Sequence, residues 1–383
     1  MNSVYHRRIL PSTTLEGKIK KLFASCRSLF AGSFFIRCIL INYILNPDSW
    51  TLNLLRIFRR KPEYATRCDS NPIIRPDMLP PGHGDNINGP SLIRVPDWVN
   101  HPLGRYYLYF AHHHGNYLRL AYADNLAGPW TIYTPGVLGL DECICNEFPS
   151  TEFSNLKHLA SPDVHVDHEK RELIMYFHCM VFTGGSSADR KNYMQVTLRA
   201  SSPNGIVFNT GREFLGGAYF RVFQWDHTYY AIARLGVMYR SGDGVSKFDE
   251  GPNPFLKIQN PSMLRHCAVS LEDGILHVLY SRIGDRPESI LLSKIVLTED
   301  WNEWIPTPPL MILKPELSYE GANLPLRSSQ SGAVRVPVRE LRDPAIFKED
   351  GKTYLLYTVA GESGIAIAEI GRGQRAESRG QRA

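Results

Sequence analysis

The chain has no C-x-x-C pair and no evenly spaced cysteine framework, and its seven cysteines are an odd number. Cys143 and Cys145 stand too close together for an unstrained bridge. A disulfide scaffold and a cysteine zinc site are therefore excluded, and the thiols read as small buried apolar groups. A G-x-S-x-G nucleophile turn and a phosphate-cradling glycine loop are also missing. The net charge of +5 gathers in Arg-rich ends. No basic stripe with interleaved aromatics runs through the body, which argues against a nucleic-acid partner.

Long apolar runs are equally scarce. One, from Leu29 to Leu45, follows Lys18-Ile19-Lys20-Lys21. Arg37 interrupts it and no clean cleavage site follows, so a basic amphipathic helix is favoured over membrane attachment. Residues 1–65 are read as an N-terminal extension. The tail 371–383 repeats Gly-Gln-Arg-Ala with nothing apolar to bury, and disorder is expected there. Nothing indicates a compartment.

What the chain has instead is a recurrence. Five aromatic or β-branched segments stand out: Tyr106–Phe110, Leu173–Phe177, Tyr229–Ala233, Leu276–Tyr280 and Tyr354–Tyr357. Each is too short for a helix, and turn signals such as Asp273-Gly274 and Glu349-Asp350-Gly351 precede them. Before each lies a second short alternating segment, at 89–95, 161–166, 218–223, 265–269 and 342–347. A repeat of this size, built from strands, predicts an all-β fold, a five-bladed β-propeller over 71–370 closed as one body and expected to be a monomer.

In such a ring the segment before each aromatic strand is innermost and lines the central channel. Polar residues gather at the starts of these segments, where the channel opens. The mouth is thus the default binding site.

Three stretches carry a family resemblance. His158-Leu159-Ala160-Ser161-Pro162-Asp163-Val164-His165 followed by Met175-Tyr176-Phe177-His178 is similar to the second blade of the propeller glycosidases of glycoside hydrolase family 43. Arg342-Asp343-Pro344-Ala345-Ile346-Phe347 with Asp350-Gly351-Lys352-Thr353-Tyr354-Leu355 resembles their D-P-x-x-F and D-G-K-x-Y-L pattern. The turn from Leu118 to Gly128-Pro129-Trp130 is a third match. The resemblance spans residues 71–370. It implies a carbohydrate substrate and hydrolysis of a glycosidic bond by paired carboxylates.

On that pattern Glu320, in Tyr319-Glu320-Gly321, maps onto the general acid, and Asp343 onto the carboxylate that tunes the acid and orients substrate. The first blade departs: in Asn88-Gly89-Pro90-Ser91, Gly89 stands where the family has its basic Asp. Asn88 cannot act as a base, so Asp163 or Asp85 takes over, the mechanism differs, or the chain binds a glycan without cutting it. Asp163, Glu320 and Asp343 are the catalytic candidates, with Asp163 the leading base.

Asn88, His113 (or His114), His165, His178, Arg221, Arg265 and Arg342 are candidates for substrate binding. The three arginines would suit an anionic group, and the competing reading pairs each with a neighbouring carboxylate. No metal or cofactor is expected at the site, although a structural cation in the channel stays open. Trp98, Trp130, Trp225 and Tyr219 could stack on sugar, but most aromatics in a propeller pack between blades. Besides hydrolysis, two readings remain: a noncatalytic glycan- or protein-binding propeller and a glycoside phosphorylase.

Overall fold

The structure is a computed structural model that describes residues 63–113, 115–143, 156–182, 193–258 and 263–372. The extension up to residue 62, its apolar run, His114, Cys145 and the tail beyond 372 lie outside the described residues. Among the described residues no helix is long and apolar enough to cross a membrane.

Among the described residues, twenty strands form five antiparallel sheets of four. Strands β2 to β5 (Asn88–Arg94, Tyr106–Ala111, Tyr117–Ala123, Thr131–Gly139) form blade 1, and β6 to β9 (Leu156–Asp167, Glu172–Phe182, Tyr193–Ser202, Asn209–Thr210) form blade 2. Blade 3 is β10 to β13 (Arg221–Trp225, Thr228–Ile232, Met238–Ser241, Asp249–Glu250). Blade 4 is β14 to β17 (Leu264–Glu272, Ile275–Arg282, Ile290–Val296, Leu310–Leu313). In blade 5, β18 to β20 (Arg342–Glu349, Lys352–Thr358, Ile365–Arg372) are joined by β1 (Glu63–Arg67), which pairs antiparallel with β20. The propeller therefore takes in Glu63–Arg67, which lie before the boundary expected from the repeat.

Period-two alternation makes each aromatic strand serve two neighbours. Tyr107 and Tyr109 of β3 pack against Leu173, Met175 and Phe177 of blade 2. Tyr106, Leu108 and Phe110 of the same strand pack against Phe347 and Leu356 of blade 5. The buried core divides into five such clusters, each filling one interface between adjacent blades, so the ring closes through side chains. Trp130 is buried in one interface, while Trp98 and Trp225 pack against others.

Down the axis, all five inner strands line a cavity of about 310 Å³, from Ser91, Asp163, Arg221 and Ser270 to Lys348. Above it, four inner strands break register near their starts, between Asn88 and Ser91, Ala160 and Asp163, Leu264 and Cys267, and Arg342 and Ala345. These bulges aim the first residues of each strand at the mouth.

Candidate functional site

The first residue of the bulge is left-handed at Gly89 (φ 58°), Ser161 (φ 50°) and Asp343 (φ 46°), and so is Tyr219 (φ 66°), two residues ahead of β10. Only glycine adopts this backbone without cost. Three non-glycine residues held there at one level of the ring mark strain of the kind that concentrates at functional sites. At Gly89 an added Cβ would lie 3.0 Å from the Ser161 Cα. The side chain absent from blade 1 has its space taken by the backbone of blade 2.

Glu362, on the turn between β19 and β20, reaches into the mouth beside blade 1. It accepts from Asn86 Nδ2 and, at 3.4 Å, from Asn88 Nδ2. Arg342 Nη1 donates to its other oxygen at 3.0 Å, and His113 Nδ1 lies 3.4 Å away. Burial would raise its pKa, but His113 and Arg342 hold the carboxyl below its ordinary value. Motif reading missed Glu362. The only local signal was an acidic residue in the Gly361-Glu362-Ser363-Gly364 turn.

Asp343 is 2% exposed and meets His266 Nδ1 in close contact. Burial again works against its charge, and His266, then Arg342 and Arg265, outweigh it and keep the carboxyl well below the carboxylate range. Its negative charge also opposes that of Glu362. A third carboxyl, Glu340, accepts from Arg342 Nε at 2.8 Å, and here burial wins over the arginine and raises the pKa. Arg265 Nε donates to Glu288 at 2.8 Å. The mouth thus brings together carboxyl groups whose environments push them in opposite directions, the arrangement acid–base chemistry needs.

One wall is a ladder of rings. His158 and His178 stand 4.7 Å apart between centroids, His178 and Tyr219 4.2 Å, and Tyr219 and His266 4.4 Å. The ladder ends at Asp343. Burial, with His158, His113, His266 and Arg234 nearby, pushes His178 well below its usual pKa, so it is neutral. Tyr219 is the aromatic of the expected four that reaches the mouth.

Three predicted residues lie at the channel below. Arg221 donates from Nε to Cys267 O at 3.1 Å and from Nη1 to the carbonyls of Ser161, Pro162 and Phe220. Its guanidinium collects oxygens from two inner strands and from the residue before a third, as a bound cation would. Asp163 accepts from His165 Nε2 at 2.9 Å and from the Val222 amide at 2.8 Å. Burial raises its pKa, and His165 and Arg221 more than reverse this. Asp85, the other base alternative, is exposed and paired with His112.

Glu320 is set apart from both groups. Its oxygens accept from Arg67 Nε (2.7 Å) and Nη2 (2.9 Å), the Tyr357 hydroxyl (3.0 Å) and the amides of Glu316 and Leu317. These partners come from β1, β19 and its own turn, none from the mouth, and the carboxylate is fully buried. The structure brings Asn88, His113, His178, Arg265, Arg342 and Asp343 together and places Glu320 apart from them, against Arg67 and Tyr357. Each of the three arginines expected to bind an anion is already engaged, Arg265 and Arg342 by glutamates and Arg221 by carbonyls. Among the described residues, no group of three or more His, Cys, Asp or Glu side chains is placed to hold a metal ion.

No protein-family profile matches the chain. It is 36% identical over 329 residues to the uncharacterized protein R118 of Acanthamoeba polyphaga mimivirus, covering 80% of this chain and 90% of that protein. A structure described as a candidate glycoside hydrolase from Parabacteroides distasonis superposes with a TM-score of 0.52 at 13% identity, over 80% of this chain and 96% of that one. A thermostable family-43 glycoside hydrolase gives a TM-score of 0.48 at 13% identity, over 76% and 91%. The five-bladed fold is thus shared with the structure from Parabacteroides distasonis.

Proposed function

The chain belongs to the family of the mimivirus protein R118, and we propose that it is a glycosidase-like propeller that hydrolyses a glycosidic bond at the channel mouth. One observation carries this reading: Arg342 is bonded to both Glu340 and Glu362, with Asp343 next to it in the chain and against His266, and burial raises the Glu340 pKa while those of Asp343 and Glu362 are lowered by their neighbours. Glu340 has the environment of a proton donor to the leaving oxygen. Glu362 stands beside blade 1, the blade that lacks the expected Asp, and is suited to take a proton from water as its oxygen attacks the sugar carbon. Asp343, held by His266, would face the positive charge that develops on the ring. The products are a sugar hemiacetal, which carries the new hydroxyl from water at its anomeric carbon, and an alcohol, whose oxygen takes the proton from Glu340.

The test is release of sugar from aryl glycosides and oligosaccharides by the full chain and by Asp343→Asn, Glu362→Gln and Glu340→Gln. Activity reduced at least a hundredfold in the first two would support the reading, with Glu340→Gln hitting poor leaving groups hardest. Activity untouched by all three would overturn it.

A noncatalytic glycan-binding role is favoured by a different observation. Glu340 and Glu362 are both already bonded to Arg342, which leaves less of each for a substrate. In that case ligands raise the Tm of the chain with no sugar released.

A further inference from the structure

The segment from Gly321 to Leu341 forms a strap across the mouth. Ser329 fastens it to blade 4, its amide donating to Asp285 O at 3.0 Å and its carbonyl accepting from the Gly284 amide at 3.1 Å. Arg265 donates to Gln330 O, Arg342 to Gly332 O at 3.1 Å, and Asn86 of blade 1 to Val334 O at 3.2 Å. Between the strap and Arg342 lies a pocket of about 220 Å³, room for one small ligand unit.

Its charge is unbalanced. Arg327, Arg339 and Arg342 line it, and Glu340, the one carboxyl group in the lining, is bonded to Arg342. Neither Arg327 nor Arg339 has an ion pair among the described residues, and Arg339 Nε is buried without a hydrogen-bond partner. Ser331, also in the lining, accepts from Arg234 at the rim, whose other contact is with the neutral Gln195. The guanidinium groups of Arg327 and Arg339 meet here at a partly enclosed space, and among the described residues no carboxylate pairs with either. Such an arrangement concentrates positive potential and presents planar forks to an oxyanion.

We propose that the strap pocket binds the anionic group of a charged sugar, a carboxylate or phosphoryl oxyanion held by Arg327 and Arg339. This rests on the placement of substrate at the mouth argued above and specifies its class. The neighbouring wall, Glu340 and Arg342, is shared with the carboxyl cluster, so an anion seated here would set the adjoining sugar ring against it.

The experiment is calorimetric titration of the full chain with glucuronate, glucose 1-phosphate, inorganic phosphate and glucose. At least one charged sugar should bind tenfold or more tightly than glucose, with affinity falling as salt rises. Arg327→Ala, at an exposed position that does not risk the fold, and Arg339→Ala should each remove most of that preference. Glucuronate as the preferred ligand would indicate a carboxylate, and glucose 1-phosphate together with phosphate a phosphoryl group. Equal affinity for glucose and both charged sugars, or a preference unchanged in the two variants, would overturn the proposal. Asp343→Asn separates the two ideas. Turnover lost in that variant with no charge preference in the parent refutes the pocket alone, and charge preference without turnover in any form refutes the hydrolase alone.

Discussion

Asn86 donates to Glu362, joining two residues 276 positions apart in the chain. Asn86 also holds the His113 amide at 2.8 Å through its Oδ1, so one amide side chain sets blade 1 and the turn of blade 5 in a common frame. Asn86→Ala should leave Glu362 without that donor and displace it from His113. The expected result is a tenfold or greater fall in kcat with a smaller change in KM, together with a loss of about 1–3 kcal/mol for the unsatisfied buried group. Paired kinetics and urea unfolding would check it.

Glu320 belongs to stability. Its ion pair with Arg67 has side-chain exposures of 0% and 10%, and Glu320 helps hold the Arg67 pKa above its usual value against burial. Removing one partner of a buried pair strands the other. Glu320→Gln or Arg67→Met should therefore cost about 3–5 kcal/mol while leaving kcat of the folded protein within about twofold. A large kcat loss with an unchanged Tm would instead restore Glu320 to the chemistry.

Gly89 invites repair of the missing first-blade carboxylate, and the backbone argues against it. Gly89→Asp would place a side chain at φ 58° with its Cβ 3.0 Å from Ser161. The left-handed conformation alone costs about 1–2 kcal/mol. Chemical denaturation should show at least that loss, and sugar release should not rise.

His178 gives the fold an acid sensitivity in a window above the carboxylates. Its pKa is depressed from 6.5 by burial first, so below that value the unfolded chain takes up a proton that the folded one refuses. Stability is present above pH 6.5 and falls as the pH drops below it, at up to about 1.4 kcal/mol per unit. The difference in stability between pH 7 and pH 5 should shrink in His178→Asn. An unchanged pH slope would count against this assignment.

Arg221 stands where a channel cation was left open. Arg221→Ala would leave the carbonyls of Ser161, Pro162, Phe220 and Cys267 without their donor beside Asp163. Oxygen ligands of this kind suit a hard cation. Millimolar calcium should raise the Tm of that variant and leave the parent unchanged. An effect on both would place a cation site elsewhere.

The inner and aromatic strands were legible because their signals are local: alternation, aromatic content and the turns before them. Strand β1 was not, since Glu-Tyr-Ala-Thr-Arg lies outside the repeat and pairs with β20 at the far end of the chain. The mouth was legible in part for the same reason. Asn88, Arg265, Arg342 and Asp343 sit at the starts of inner strands, which pattern reading locates. Glu340 and Glu362 sit in loops, and only closure of the ring carries them inward. Glu320 was read from a short Glu-Gly motif, and its carboxylate accepts the amides of its own turn.

The pairing of Glu63–Arg67 with Ala368–Arg372 also bears on how the protein is handled in the laboratory. A fragment cut at Asn71, the point where the repeat becomes visible, would omit that partner and leave β20 as a bare edge open to other chains. It would also strip Glu320 of Arg67 and Lys294 of Glu63. Poor solubility of such a fragment would report the cut and say nothing about the activity, so useful expression boundaries lie upstream of Glu63.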